Sequence, residues 1–325
     1  MSELVLLDAD SLDYAAFVRL QKEAFNALLT KLKASDAYMT PEYFAWKLHP
    51  PLRTALITVI REGSEYIASN VMVPVVLTRS SETITGWQSG DSATAPAARG
   101  KGYFLKCQNR LREAMGDDEL FYGFPNKTSA PGLAKLGWKE RGVVTTWISP
   151  LPLVTRRRST RVGEIDRFDE RQDELARRLS ARPHVMTERS AAYLDWRYRR
   201  HPLNRYTLLA LREGDRHDGF AVLRTADVMG RRMALVMELW ALDRRGERAL
   251  LRHAAGWAVE QGVGFMVAFD TALPLASGLG GGLVPVPHRL LPKRQVLMVQ
   301  PKPGEPPRRF MAAPWRVQMG DWDVF

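Results

Sequence analysis

Cysteine is almost absent from this chain of 325 residues, because Cys107 is the only one. No disulfide can form within the chain, and no metal site can be built from cysteine pairs. The six histidines include no close pair at metal-ligand spacing, so we expect no metal. Apolar runs stay short of the roughly 18 residues that a membrane helix requires, and the first ten residues lack the basic start of a secretory signal. We therefore expect a cytoplasmic protein without a membrane partner.

Lysine is scarce in the second half of the chain, which is nevertheless strongly basic. Residues 1–150 contain 17 basic and 16 acidic residues, a net charge of +1, whereas residues 151–325 contain 30 and 20, a net charge of +10. Only Lys293 and Lys302 among those 30 bases are lysines. The excess of arginine has two interpretations, which are an anionic partner such as nucleic acid or a phosphorylated substrate, and a coding bias towards arginine. The arginines are scattered rather than placed on one periodic face, so charge alone does not decide.

A repeated set of landmarks indicates two similar halves. The segment Tyr43–Lys47 is followed by a His-Pro pair, an apolar β-rich run and Arg-Glu-Gly, and the same features follow Tyr193–Arg197 at offsets of 150 to 152 residues. Self-similarity at a fixed spacing is the mark of a repeated structural unit, although common helix–turn–strand grammar could produce it by coincidence. We predict two tandem domains of one ancestral fold, residues 1–150 and 151–325.

Helices and strands alternate within each predicted unit. Pro50 stops a helix in the first unit, and the apolar, β-branched runs 55–60 and 66–77 then read as strands. This order predicts an α/β fold in which a mixed sheet is flanked by helices. The proline-rich residues 301–307 are predicted to be extended, and the glycines within 278–282 to form a flexible loop.

The sharpest local feature is the turn Ala95–Tyr103, which reads APAARGKGY. A strand is predicted before it at Thr83–Thr94, and a helix after it at Tyr103–Met115. The first turn of a helix has N–H groups without partners and partial positive charge, so it suits an anion such as a pyrophosphate. The turn supplies two glycines, which allow close approach of a ligand, and two cations: Gly100, Gly102, Arg99 and Lys101. A plain strand–helix turn with solvated bases would read the same.

In its context this segment resembles the acyl-CoA signature of the GNAT (N-acetyltransferase) superfamily, which is arginine or glutamine, two residues, glycine, one residue, and glycine or alanine. Arg99 and Gly102 match the first two key positions, whereas Phe104 replaces the small residue at the last. The family's later pattern is also similar here, because Pro-Asn, a helix and Gly-Trp follow the predicted strand Leu120–Phe124. The resemblance covers the first half of the chain well and the second half as a degenerate relative.

The resemblance implies where acetyl-CoA would lie. Its pantetheine arm would occupy a gap between the splayed strands Thr83–Ala95 and Leu120–Phe124, with Asn126 and Ser129 near the thiol. Turn chemistry after a proline explains Asn126 equally well. The residues that the resemblance assigns to the cofactor, mostly through backbone groups, are Ala93, Thr94, Ala95, Arg99, Gly100, Lys101, Gly102, Tyr103 and Asn126.

Acetyl transfer to an amine requires a neutral amine, a stabilised oxyanion and a protonated leaving thiol. By the resemblance, a backbone N–H of the splayed strand, at Ala93 or Thr94, would stabilise the oxyanion. Asp91 is the only carboxylate between Glu82 and Glu113, and we predict that it acts as the base, directly or through a water. The alternative explanation for Asp91 is a residue of a turn or a β-bulge.

The general acid is not evident in the sequence. Leu133 stands where the family usually has a tyrosine, and the remaining donors nearby are Tyr103, Tyr122 and Ser129. A thiolate could also leave unaided, because a free thiol has a pKa of about 8.5. We take Ser129 as the candidate, together with Asp91 as base and Thr94 as oxyanion donor.

The sequence thus predicts an N-acyltransferase that moves an acetyl or short acyl group from acyl-CoA to a primary amine of a small molecule. Arginines of the basic half would help to hold an anionic acceptor, and we expect neither nucleic acid nor metal as a partner. The second unit lacks the glycine pair and has Glu247 where the anion would lie, so we expect it to bind no CoA. The alternatives are a Fem-like transferase that uses aminoacyl-tRNA and a non-catalytic acyl-CoA-binding module.

Overall fold

The computed structural model describes residues 2–32, 36–151, 159–228, 230–291 and 295–322. The strands are β1 (Ser2–Asp8), β2 (Leu56–Glu62), β3 (Glu65–Arg79), β4 (Glu82–Thr94), β5 (Leu120–Gly123), β6 (Lys139–Val143), β7 (Thr145–Pro150), β8 (Val162–Ile165), β9 (Met186–Thr187), β10 (Thr207–Glu213), β11 (Arg216–Val228), β12 (Arg231–Ala241), β13 (Phe265–Asp270), β14 (Val284–Pro285) and β15 (Val296–Pro301). The helices are α1 (Tyr14–Leu32), α2 (Pro41–Leu48), α3 (Tyr103–Ala114), α4 (Ala130–Lys135), α5 (Glu170–Ser180), α6 (Ala191–Leu194), α7 (Arg244–Glu260), α8 (Leu275–Gly280) and α9 (Glu305–Ala312). The predicted α/β class is confirmed.

Two mixed sheets with the same strand order form the framework. The first runs β1-β2-β3-β4-β5-β15-β6, with β9 paired to β3 beside this path, and the second runs β8-β10-β11-β12-β13-β7-β14. Each sheet has one parallel pair at its centre, β4 with β5 and β12 with β13, and its other pairs are antiparallel. The pairs β4–β5 and β12–β13 therefore occupy equivalent positions in the two sheets.

The first sheet takes β9 and β15 from the second half of the chain, and the second sheet takes β7 from the first half. The strand β15 lies between β5 and β6 of the first sheet, and β7 lies between β13 and β14 of the second. The sheets therefore do not follow the predicted division at residue 150. The exchanged strands β7 and β15 satisfy backbone groups on both of their edges, which an unpaired edge would leave unsatisfied. The residues just after the predicted division, 152–158, lie outside the described part of the chain.

The landmarks of the sequence repeat contact each other. The indole N–H of Trp46 donates to the carbonyl oxygen of Trp196 at 2.8 Å, and the indole N–H of Trp196 donates to the carbonyl oxygen of Trp46 at 2.9 Å. The two rings stack with centroids 5.4 Å apart. A reciprocal contact between equivalent positions is the arrangement that a twofold relation between similar units produces.

Helix α3 packs on the first sheet through one apolar face. Cys107 and Leu111 are fully buried, and the hydroxyl of Thr58 on β2 donates to the carbonyl oxygen of Cys107 at 3.2 Å. Burial raises the pKa of the Cys107 thiol to about 11. The thiol is therefore protonated at neutral pH and belongs to the core.

Two predictions for the C-terminal part are wrong. The proline-rich segment is not extended throughout, because Glu305–Ala312 forms α9 with its prolines in the first turn, where a missing N–H costs little. The glycine-rich segment is not a loose loop either. A Cβ on Gly278 would lie 2.5 Å from the Trp147 ring, and one on Gly281 would lie 2.5 Å from Leu251. These glycines allow α8 and the turn after it to pack closely on β7 and α7.

Candidate functional site

The parallel pair β4–β5 opens into a cleft. Its register runs from Gly86 opposite Leu120 to Ser89 opposite Gly123 and ends there, while β4 continues to Thr94 in its pairing with β3. A cavity of about 430 Å³ occupies the opening, lined by β4, by the segment after β5 and by α1 to α4. This size is that of small-molecule and cofactor sites. The splay that the sequence resemblance implied is therefore present.

A β-bulge bends the open edge of β4 at Asp91. The register of the β3–β4 pair shifts there, so that Asp91 and Ser92 together face a single residue of β3. Asp91 has a φ of 43°, in the left-handed region that non-glycine residues rarely adopt. Its carbonyl oxygen accepts hydrogen bonds from Gln21 Nε2 at 3.0 Å and from Ser69 Oγ at 3.4 Å. The bulge that was the alternative explanation for Asp91 is thus observed, and it lies in the cleft wall.

A buried ion pair holds the Asp91 side chain. Asp91 Oδ2 lies 2.7 Å from Nζ of Lys47, whose side chain is only 4% exposed against 16% for Asp91. Lys47 is on the buried face of α2, one turn after Tyr43, and its ammonium lies 5.8 Å from the Tyr43 ring centroid. No role for Lys47 was predicted from the sequence. The available signal was the repeat itself, since Arg197 occupies the equivalent position and is also a buried cation.

The backbone of β4 presents one N–H to the opening near the bulge. The N–H of Ala95 donates to the carbonyl oxygen of Ile67 on β3 at 2.9 Å. Because N–H groups of an antiparallel strand point alternately to its two sides, the N–H of Ala93 also faces β3 and that of Thr94 faces the cleft. This corrects the expectation for the Ala95 N–H, which is already bonded, and it favours Thr94 over Ala93 as the donor to a ligand.

The glycine turn before α3 is open. Gly100 and Gly102 have φ values of 81° and 73°, and a Cβ on either would meet no atom within 4 Å. Gly102 is the N-cap of α3, and no side chain caps the helix there. Within the described ranges no group accepts a hydrogen bond from the N–H of Gly100, Lys101 or Gly102. Three backbone donors therefore surround an unfilled helix N-terminus, which is the arrangement that binds anions.

Arg99 anchors this turn instead of extending from it. Its Nη2 donates to the carbonyl oxygen of Ala24 at 2.9 Å and its Nε to that of Thr94 at 3.4 Å, while its own N–H donates to the carbonyl oxygen of Pro96 at 3.4 Å. The expectation that the Arg99 N–H binds the anion needs correction, because it is already bonded, and two of the five guanidinium donors are directed to backbone oxygens. Lys101 is exposed beside the turn and supplies a cation there.

Neither tyrosine considered as an acid lines the cleft. The hydroxyl of Tyr103 donates to Ser2 Oγ at 3.3 Å, and its ring belongs to the core. Tyr122 is 1% exposed, and burial raises the pKa of its phenol well above the ordinary value. Leu133, at the position of the family's usual acid, does line the cleft. The described residues thus offer no tyrosine where the family's acid would be.

Asn126 and Ser129 form one corner of the cleft through a tight turn. Asn126 Oδ1 accepts from the N–H groups of Thr128 at 2.8 Å and Ser129 at 3.0 Å, and Ser129 Oγ accepts from the N–H of Asn126 at 3.1 Å. Turn chemistry, the alternative explanation for Asn126, is therefore observed. Both residues still line the cleft, so a ligand there would contact a turn that its own bonds have already fixed.

The wall formed by α1 and α2 was not anticipated from the sequence. Tyr43 and Phe44 are buried there, and their rings meet edge to face with centroids 5.3 Å apart. Asp91 is the one charged residue among the described residues that line the cleft, and none of the lining residues is an arginine. The predicted contribution of the basic half to an anionic acceptor is therefore not supported by the cleft.

The second sheet has the corresponding opening, but the chain itself fills it. The β12–β13 register ends at Val236 opposite Ala268. Beyond it, the N–H of Leu239 donates to Gln318 Oε1 at 2.7 Å, and Gln318 Nε2 donates to the Leu239 carbonyl oxygen at 2.7 Å and to Asp270 Oδ2 at 2.8 Å. The C-terminal segment thus lies between the strands, where the first sheet has its cleft.

The helix that corresponds to α3 is closed as well. The side chain of Asp243 accepts the Gly246 N–H at 2.7 Å and caps α7, and a Cβ on Gly246 would lie 2.7 Å from Leu211. Glu247 is buried and pairs with Arg316 at 3.1 Å. As expected, the anion position of the second unit carries a carboxylate, and the surrounding space is packed.

Comparison with known proteins defines the class of this fold. No family model and no curated protein matches the chain. A GCN5-related N-acetyltransferase from Anabaena variabilis ATCC 29413 is similar over 92% of this chain and 72% of its own, with a TM-score of 0.67 and 11% identity. Saccharomyces cerevisiae N-myristoyltransferase, solved with bound myristoylCoA, is similar over 95% of this chain and 87% of its own, with a TM-score of 0.62 and 12% identity. Eis1 from Mycobacterium abscessus is similar over 91% of this chain and 73% of its own, with a TM-score of 0.57 and 14% identity.

The chain therefore has the fold of the GCN5-related N-acetyltransferases, and the resemblance indicated by the glycine turn is confirmed at the level of the fold. At identities of 11 to 14% the similarity concerns the fold, so function has to be argued from the site itself. The described residues contain no helix long and apolar enough to cross a membrane. They also contain no cluster of three His, Cys, Asp or Glu side chains that could hold a metal ion.

Proposed function

We propose that this protein transfers an acyl group, such as acetyl, from acyl-CoA to a primary amine of a small molecule. The observation that carries the proposal is the opening of the β4–β5 pair beyond Ser89 and Gly123, next to an open helix N-terminus. A ligand with an extended polar arm and a diphosphate matches these two features together. The similarity in fold to N-acetyltransferases is consistent with this use.

The cofactor would be held mainly by backbone groups. The pyrophosphate would accept hydrogen bonds from the N–H groups of Gly100, Lys101 and Gly102, where the dipole of α3 adds partial positive charge. The pantetheine arm would extend along the open edge of β4 and accept from the N–H of Thr94, as an added strand does. Asn126 and Ser129 would border its thiol end.

The transfer would be direct. The amine nitrogen attacks the thioester carbonyl, a C–N bond forms, and the C–S bond breaks as the thiolate leaves. The N–H of Thr94 would stabilise the oxyanion. Asp91, whose carboxylate lies in the cleft wall and is held there by Lys47, would take the proton from the amine. The hydroxyl of Ser129 would assist protonation of the departing thiolate.

Release of CoA thiol from acetyl-CoA, followed over a panel of primary amines, tests the proposal. We expect Asp91→Asn to lower kcat about 10²- to 10⁴-fold, the usual contribution of a general base. The matched control is Asp215→Asn, an exposed carboxylate of the second sheet, which should leave kcat unchanged. If acetyl-CoA binds but no amine causes thiol release, the protein would be a non-catalytic acyl-CoA-binding module. The observation that favours this alternative is Leu133, which stands where the family usually has its acid. Absence of acyl-CoA binding would contradict both.

A further inference from the structure

The wall of the cleft that α1 and α2 form is apolar from Phe44 to its mouth, with Gln21 as a polar residue of α1 among the lining residues. Leu28 of α1 and Tyr38, just before α2, line it and are 47% and 37% exposed. The rings of Tyr38 and Tyr43 meet edge to face with centroids 5.8 Å apart, and Phe44 continues the wall inward. An apolar surface thus extends from solvent inward as far as Phe44.

The charge of this cleft is opposite to that of the whole protein. The chain has a formal net charge of +11, yet Asp91 is the one charged residue among the described residues that line the cleft. The nearest buried cation, Lys47, lies behind the carboxylate and is paired with it at 2.7 Å. A phosphate or carboxylate on the acceptor would lose its hydration there without gaining a cationic partner, which is costly. Sugar hydroxyls placed along α1 and α2 would face Leu28, Leu29 and Phe44, because the polar lining residues Asn126 and Ser129 lie after β5.

We infer that the acceptor is an amine carried on an apolar body, either an alkyl chain or an aromatic ring, with its nitrogen beside Asp91 and its body against α1 and α2. The inference rests on the proposed function and names the substrate class of the same site. An acyl chain is the other possible occupant of the wall. It carries no group that suits Asp91, and the apolar wall ends at Leu28 and Tyr38, where a ligand enters from solvent.

A homologous series of amines from propylamine to hexylamine, with acetyl-CoA fixed, measures the contribution of the wall. Each added methylene that is buried should raise kcat/KM about fourfold. Glucosamine and glucosamine 6-phosphate, which are polar and anionic comparators, should be poorer than propylamine. Turnover that is flat along the alkyl series, or highest with glucosamine 6-phosphate, would overturn the inference and leave the proposed function standing. Lack of turnover with every amine would contradict the proposed function itself.

Two exposed leucines make a matched pair of variants. Leu28→Gln places a polar group of similar length at the mouth and should lower the ratio of kcat/KM for hexylamine to that for propylamine about tenfold. Leu203→Gln alters a leucine that is also 47% exposed but lies outside the cleft, and should leave this ratio unchanged. An equal effect of both variants would contradict the role of the wall.

A second series separates the two occupants. With propylamine fixed, acetyl-CoA and octanoyl-CoA are compared in the unchanged protein and in Leu28→Gln. We expect the variant to alter the preference among amines and to leave the preference between the two acyl donors unchanged. If Leu28→Gln alters only the acyl preference, the wall holds the acyl chain and the inference is wrong.

Discussion

Replacement of Gly102 by glutamate tests the anion site most directly. Gly102 has a φ of 73°, and a Cβ added there would point into space that is empty to 4 Å. The carboxylate of Gly102→Glu would project towards the unbonded N–H groups of the turn and the positive end of α3. It would thus occupy the position that we assign to the pyrophosphate, and it would repel a diphosphate by its charge. We expect binding of acyl-CoA to be lost.

The magnitudes allow this loss to be separated from damage to the fold. A non-glycine residue in the left-handed region costs about 1–2 kcal/mol, and a carboxylate at a helix N-terminus returns about 0.3–1 kcal/mol. The free energy of unfolding should therefore fall by about 1 kcal/mol, which lowers Tm by roughly 1–2 °C in a chain of 325 residues. Acetyl-CoA at 100 times its Kd should stabilise the unchanged protein by about 2.7 kcal/mol, which raises Tm by roughly 4 °C.

The assay is thermal unfolding with and without acetyl-CoA, supported by calorimetric titration. Gly262→Glu is the matched control, because Gly262 has a φ of 69° and open space around its Cβ, but lies in the second unit. It should lower Tm somewhat more, because Gly262 follows the C-terminus of α7 where a carboxylate is unfavourable, and it should keep the full response to acetyl-CoA. Gly102→Ala carries the backbone strain without the charge and should keep most of the response. An undiminished response in Gly102→Glu would refute the assignment of the site.

Two further predictions concern stability. Lys47→Met leaves the Asp91 carboxylate without its buried cation, and it should lower the free energy of unfolding, measured in urea, by about 3 kcal/mol. Adding Asp91→Asn to this variant should recover part of the loss. A Lys47→Met variant as stable as the unchanged protein would contradict the assigned ion pair. Burial and the neighbouring Arg197 lower the pKa of His201 to about 3, whereas the unfolded ring binds a proton below about pH 6.5. The unfolded state therefore holds more protons between pH 6.5 and 3, and the free energy of unfolding should fall by about 2 kcal/mol from pH 7 to 5 through this group. His201→Asn should flatten that slope, and an unchanged slope would contradict the assignment.

The elements around the glycine turn could be predicted from the sequence because their signals are local. The strand predicted at Thr83–Thr94 is β4 (Glu82–Thr94), and the helix predicted at Tyr103–Met115 is α3 (Tyr103–Ala114). Glycine and proline between them mark the turn, and buried positions at helical spacing mark the face of α3. The glycine turn could be predicted as an anion site for the same reason, because its N–H donors belong to consecutive residues.

The walls of the cleft could not be predicted in this way, because they depend on contacts between distant residues. Lys47 and Asp91 are brought together only by packing of α2 on the first sheet. The apolar residues of α1 and α2 read as ordinary core in the sequence, since periodicity cannot distinguish a buried face from one that lines a cleft. The exchange of β7 and β15 has no signal either, because the same alternation of side chains fits either sheet.

The exchange of strands changes what the basic half contributes to the site. Its arginines do not line the cleft, so its charge does not explain why it is needed. Its strand β15, however, pairs with β5, which forms one side of the opening, and with β6 beyond it. Without the second half, β5 and β6 would have unpaired edges, and the splay that makes the cleft would lose its support. The second unit can therefore fill its own gap with Gln318 and still be essential, because the first unit's cleft is built on its strand.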